Sequence, residues 1–271
     1  MKYQINDFDL NLCDQGQGEP VLLFLHYWGG SSRTWGEVIK RLENDFRCIA
    51  YDHRGWGNSG APPSGYRIED LARDAQGLIQ KLGLKRYALI GHSMGGKVAQ
   101  LLASWHPAGL EALLLVAPSP PVPMAVPEEQ RKRMIEAYGT REGVEVVIQQ
   151  VLTTVPLPQK LREMIIEDTL RGAPQAKRGW PEVGMIEDIS PAVRNINVPT
   201  LVLAGENDQV ERVETLKQEL IPRIPDAQMR VIPRCGHLSL LEVPDEIATG
   251  IRNFLATLRP EISGRFWKYT V

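Results

Sequence analysis

The segment Gly91-His92-Ser93-Met94-Gly95 constrains this chain more than any other. Ahead of it, Tyr87 to Ile90 is a short apolar run that reads as a buried strand. Behind it, Lys97 to Trp105 carries Val98, Leu101 and Leu102 at helical spacing. A chain that leaves a strand and enters a helix within so few residues must turn sharply. Glycines two before and two after the serine relieve the backbone angles and close approaches that such a turn imposes. The strain sets the Ser93 hydroxyl at a helix N-terminus, where backbone N–H groups can meet a developing oxyanion. Ser93 is therefore the candidate nucleophile, the strand before and helix after setting it apart from a serine in an ordinary Gly-rich turn.

The remaining elements alternate as an α/β chain does. Residues 2–13 read as a β-hairpin with Asn6-Asp7 at its turn. Val21 to Leu25 is a continuous apolar run, the pattern of a strand buried on both faces of a parallel sheet. It runs into the small-residue loop His26-Tyr27-Trp28-Gly29-Gly30, at the sheet edge where open α/β sheets bind ligands. Thr34 to Leu42 reads as a helix, Arg47 to Tyr51 as a strand, Ile68 to Leu82 as a helix closed by Gly83, and Glu111 to Val116 as a strand. Five prolines between Ala117 and Glu128 then break the alternation, and 128–194 reads as helices without a strand, three of them discernible. Alternation resumes with strands at Thr200 to Leu203 and Gln228 to Ile232, and helices at Glu211 to Leu220 and Asp245 to Leu258, the last stopped by Pro260. The apolar tail Phe266 to Val271 is expected to pack on the body or on a neighbouring subunit, or to be foreign to the fold.

A serine hydroxyl needs a base, and the base needs a partner that fixes its tautomer. Of five histidines, His26, His53 and His92 lie in or beside turn motifs that need structural hydrogen bonds, and His106 precedes Pro107 at a helix end. His237 follows the last predicted strand. The acid is Asp208, directly after the strand at 200–203, with Glu206 as its competitor two residues nearer that strand. Ser93, Asp208 and His237 then stand in the nucleophile–acid–base chain order of one triad architecture. One oxyanion donor should be the backbone N–H of Met94, and the second should come from His26-Tyr27-Trp28. The loop Asp52-His53-Arg54-Gly55 is read as structural, its side chains satisfying buried backbone groups.

Composition removes other classes. The formal net charge of −2 over 271 residues gives no attraction to nucleic acid or anionic membranes. No run approaches the ~18 apolar residues of a membrane span, and MKYQINDFDL lacks the apolar core of a secretion signal. Three scattered cysteines suggest neither disulfides nor a zinc site. No metal or nucleotide motif is present, so the chain is expected to be cofactor-free, cytoplasmic and active on a small molecule.

Taken together, Leu25-His26-x-Trp28-Gly29-Gly30, Tyr51-Asp52-x-Arg54-Gly55-x-Gly57-x-Ser59, the Ser93 elbow, Gly205-x-x-Asp208 and Gly236-His237 resemble the α/β-hydrolase superfamily over essentially the whole chain. The chain is most similar to its small bacterial esterases and cofactor-free haloperoxidases, some of which also carry out perhydrolysis. The resemblance implies an α/β-hydrolase core over 1–118 and 196–271, a mostly parallel sheet flanked by helices, with a helical cap over 119–195. It pairs the backbone N–H of Trp28 with that of Met94, and implies hydrolysis of a carboxylic ester or lactone through an acyl-serine. Two alternatives use the same triad: C–C bond hydrolysis or lysis, and ligand-binding signalling. Relatives with an aspartate nucleophile, the haloalkane dehalogenases and epoxide hydrolases, do not fit. The family usually has glycine where Tyr27 stands. Two outcomes are open. Either Tyr27 holds positive φ at a cost of about 1–3 kcal/mol, its hydroxyl facing the substrate, or the loop relaxes and the Trp28 N–H points elsewhere. The first is favoured because Gly29 and Gly30 can absorb distortion downstream.

Overall fold

The computed structural model describes residues 1–258; the calls on Pro260 and on the apolar tail after it lie outside the described residues. A hairpin opens the chain, β1 (Lys2–Ile5) and β2 (Phe8–Gln15), with Asn6 taking positive φ at the predicted turn. Six further strands follow: β3 (Val21–Leu25), β4 (Cys48–Tyr51), β5 (Tyr87–His92), β6 (Leu110–Val116), β7 (Thr200–Gly205) and β8 (Gln228–Ile232). The sheet order is β1-β2-β4-β3-β5-β6-β7-β8. β2 runs antiparallel to β4, and every pairing from β4 to β8 is parallel. β3, β4, β5 and β7 are buried at every residue, so their unbroken apolar runs follow from having both faces covered, whereas β2 alternates near the edge.

Helices cover both faces. α1 (Gly36–Leu42) packs with α10 (Pro244–Thr257), and α2 (Ile68–Leu82) packs with α3 (Met94–Ser104). α2 starts with Glu69 and Asp70 near its N-terminus and ends at Gly83 in the left-handed conformation, the expected stop signals. Every residue of α3 is buried, Lys97 and Gln100 included.

Strand order explains where chemistry is placed. The chain steps from β3 outward to β4 and then back past β3 to β5, so β3 and β5 are neighbours whose following loops diverge. Leu25 pairs with Gly91. The loop after β3 and the elbow after β5 therefore emerge side by side at the switch point, the position that collects ligands in open α/β sheets.

Between β6 and β7 come α4 (Glu128–Ala137), α5 (Arg141–Val147), α6 (Gln159–Arg171), α7 (Pro174–Glu182) and α8 (Ser190–Val193). Val144, Val147, Ile148 and Val151 fall at the spacing of one helix, but that helix divides, with α5 passing into a π-helical turn at Ile148–Leu152. α7 buries Ala176, Gly179, Trp180 and Pro181, and Pro181 lies inside the helix. The helix expected from Glu211 begins at α9 (Val213–Glu219), which leaves Glu211 in the preceding loop.

The elbow glycines are required by close approach. A Cβ on Gly95 would lie 2.5 Å from the Leu25 carbonyl oxygen and 2.6 Å from that of His26. Gly36, at the start of α1, has open space where its Cβ would be. Gly95→Ala should destabilise by about 1–3 kcal/mol, and Gly36→Ala should stabilise by about 0.4–1 kcal/mol. Thermal unfolding of both variants beside the parent checks the ranking; equal Tm values would show that the elbow has slack.

Candidate active site

Ser93 sits between β5 and α3 at φ +53°, ψ −118°, outside the ordinary regions for an L-residue. Strain at such a residue persists only where the surroundings over-determine it. Here they do. Ser93 N–H donates to the Val116 carbonyl, while its own carbonyl accepts from Lys97 N–H and Ser119 N–H. Gly91 packs directly on Gly95 and Gly96, and Gly96 on Pro118.

Asp208 and His237 reach the same place from the loops after β7 and β8. His237 Nδ1 lies 2.9 Å from Asp208 Oδ2, and both side chains are buried. Asp208 Oδ1 accepts from the backbone N–H of Val210 and Glu211, which fixes the carboxylate's orientation. Glu206 faces elsewhere and accepts from Arg234 N–H. The His237 backbone is tied to the elbow in turn. His92 Nε2 is 2.9 Å from the His237 carbonyl, and burial, with His237 nearby, pulls the His92 pKa well below the usual imidazole range. A neutral His92 carrying its proton on Nε2 therefore holds the two loops together.

The loop after β3 differs from the expectation at Tyr27. Gly30 N–H donates to the Tyr27 carbonyl, closing a four-residue turn in which positive φ (+99°) falls on Gly29, the third residue. That is the position a type II turn reserves for glycine. Tyr27 is not among the residues with positive φ and carries no such strain. Its ring lies over Gly30, where a Cβ would collide, and against the His92 ring at 5.2 Å. Its hydroxyl is buried and faces Thr169 without completing a hydrogen bond of ordinary geometry. His26 braces the turn, with Nδ1 against the Tyr27 carbonyl and Nε2 accepting from His53 N–H.

Neither Trp28 N–H nor Met94 N–H has a protein acceptor among the described residues, so both backbone donors are free. The Trp28 indole donates to the Lys177 carbonyl and stacks on Tyr138 at 3.9 Å, with the planes 12° apart. Thr169 donates to the Gly29 carbonyl, and Asp168 accepts from Ser31 and pairs with Arg33. The helices between β6 and β7 thus grip the loop at four points.

Ser93 and His237 open into one cavity of about 280 Å³. Tyr27 and Trp28 form part of its wall, and Val126, Met134, Val151, Leu152, Trp180 and Met185 supply apolar lining. Two further lining residues were not foreseen from the sequence, Ser119 and Glu211. They meet in its wall, the Ser119 hydroxyl donating to Glu211 Oε1 at 2.5 Å. The only sequence signal was position: Glu211 lies three residues past Asp208 in the same loop. Behind the wall, Lys97 is buried and donates to the Glu187 and Val122 carbonyls; burial pulls its pKa down to about 8.

The loop after β4 is structural, as expected. Asp52 accepts from Ser32 N–H, Asn58 N–H and the Asn11 amide. Arg54 forms a buried two-point pair with Asp74. Among the described residues no group of three or more acidic, histidine or cysteine residues is arranged to hold a metal ion, and no helix is long and apolar enough to cross a membrane.

A family model described as the alpha/beta hydrolase family matches residues 22–249. A non-heme haloperoxidase of Rhodococcus erythropolis is 26% identical over 258 residues, covering 89% of this chain and 94% of its own. The 2-hydroxy-6-oxo-6-(2'-aminophenyl)hexa-2,4-dienoic acid hydrolase of Metapseudomonas resinovorans is 28% identical over 257 residues, covering 90% and 86% respectively. Among solved structures, a thermophilic esterase from Thermogutta terrifontis superposes with a TM-score of 0.81 at 30% identity, covering 95% of this chain and 99% of that one.

Two substitutions separate the neighbouring acids. Asp208→Asn would leave the imidazole in the wrong tautomer and should lower kcat on a simple ester by about 10⁴, the loss typical of this change. Glu206→Gln should stay within about threefold, the range of a surface change. The reverse ranking in steady-state assays would show the acid misassigned. Tyr27→Phe removes a hydroxyl with no water contact and no completed hydrogen bond, so kcat should be unchanged within about twofold and Tm should not fall. A tenfold loss in kcat would return the hydroxyl to the chemistry.

Proposed function

Because this chain belongs to the alpha/beta hydrolase family, we propose that it is a serine hydrolase cleaving carboxylic esters or lactones of small substrates. The observation that carries the reading is the strained Ser93 opening into the cavity that His237 lines, with Asp208 on the far side of His237. In this reading Ser93 Oγ attacks the carbonyl carbon while His237 takes its proton. Asp208 holds the imidazole in register and stabilises the imidazolium that forms. The N–H groups of Trp28 and Met94 receive the developing oxyanion, each contributing about 3–4 kcal/mol to the transition state. His237 then protonates the departing alkoxide, and a water molecule activated by the same base releases the acid from Ser93.

Acyl transfer to hydrogen peroxide in place of water needs no additional group, so a perhydrolase side activity belongs to the same reading. The residues between roughly 119 and 195 act as the cap: they supply most of the apolar lining and leave a cavity sized for a small acyl group.

The acyl-enzyme is tested by treating the protein with a fluorophosphonate and mapping the adduct by peptide mass spectrometry. A single adduct on Ser93, lost in Ser93→Ala, is expected. Folded protein that stays unlabelled, or is labelled elsewhere, would sink the mechanism.

A further inference from the structure

The triad does not use Glu211. This side chain is 1% exposed, lines the same cavity as Ser93, and has one hydrogen-bond partner for its carboxyl, the Ser119 hydroxyl on Oε1. Oε2 has no partner among the described residues. Ser119 is fixed against the nucleophile itself, since its backbone N–H donates to the Ser93 carbonyl and its own carbonyl accepts from Gln100. The Ser119–Glu211 pair is therefore held one hydrogen bond from the elbow, in a cavity whose lining is otherwise largely apolar.

We propose that Glu211, held by Ser119, forms a specificity subsite that donates a hydrogen bond from Oε2 to a neutral carbonyl on the acyl chain, making oxo-acyl esters or lactones the preferred substrates. The proposal rests on the serine-hydrolase reading above.

Three features support it. First, burial pushes the Glu211 carboxyl well above the usual range and the neighbouring Asp208 charge adds to this, against the pull of Ser119 and Lys97, which favours the protonated form. A protonated Glu211 can accept the hydrogen bond of the Ser119 hydroxyl on Oε1 and still offer Oε2–H to the cavity. Second, Glu211 lines the cavity and Oε2 has no protein partner among the described residues, so a substrate acceptor can pair with it without displacing a protein hydrogen bond. Third, the chemistry disfavours an anionic acyl group. Among the lining residues there is no Lys or Arg, Asp208 lies close behind, and the Lys97 ammonium is directed at the Glu187 and Val122 carbonyls.

The test compares p-nitrophenyl hexanoate with its γ-oxo and δ-oxo analogues and with the monoanionic p-nitrophenyl ester of adipic acid. The ratio of kcat/KM between two esters, taken on one preparation, is independent of the fraction of folded enzyme. The parent should favour the better oxo-ester over hexanoate by about tenfold, and should discriminate against the adipate ester. Glu211→Leu should bring the oxo preference to about one, whereas Glu211→Gln, a neutral side chain that still donates, should keep it. A parent ratio near one, a preference surviving in Glu211→Leu, or a preference for the adipate ester would each overturn the proposal while leaving the serine-hydrolase reading intact. No turnover of any of these esters, with Ser93 unlabelled by fluorophosphonate, would remove both.

Discussion

The absence of side chains at Gly91, Gly95 and Gly96 is the constraint on which the rest of this structure depends. It lets the first turn of α3 lie against the ends of β3 and β5 and against Pro118, and that contact forces Ser93 out of the allowed backbone regions. Such strain costs about 1–3 kcal/mol. It is offset by α3 itself, a helix buried along its whole length between neighbouring layers. Even its polar residues are used as tethers. Gln100 holds the Ser119 carbonyl, and Lys97 holds the segments at Val122 and Glu187 despite the cost that burial imposes on its charge. The helix that strains the serine also fixes the chain leaving β6, and with it one wall of the cavity.

Polar contacts then join segments that the sheet alone would leave independent. The loop after β8 is held to the elbow by His92, and the loop after β7 is held to the loop after β8 by Asp208 and His237. The loop after β3 is braced by the His26 ring from below and by Tyr138, Thr169 and Asp168 from the intervening helices. Four chain segments, distant in sequence, are thereby held in one geometry, the preorganisation that the proposed acyl transfer would need.

Much of this was legible in the chain because it is encoded locally. The elbow is a five-residue pattern whose glycines answer a steric demand within the same turn. Asp208 and His237 each follow a strand directly, so the parallel sheet brings them to one edge once the strands are known. What was not legible depends on contacts across the fold. Tyr27 was expected to carry positive φ by analogy with a glycine; the turn instead transfers that demand to Gly29, and Gly30 leaves room for the tyrosine ring. α7 was not legible because its buried face is short and includes Gly179, and because Pro181 inside the helix reads as a breaker. Glu211 reads as an ordinary acid near a helix start, and only its meeting with Ser119, ninety-two positions away, marks it out.

The stacking of Trp28 on Tyr138, with the Thr169 and Asp168 hydrogen bonds beside it, has a mechanical consequence. These contacts fasten the turn bearing the Trp28 N–H to the helices that roof the cavity. A hinge that lifted those helices to admit a bulky molecule would carry the turn with them and pull the donor off its mark. Widening the entrance and keeping the geometry of the proposed oxyanion site are therefore opposed motions in this molecule. The contacts that hold the turn in place also tie down the roof of the cavity.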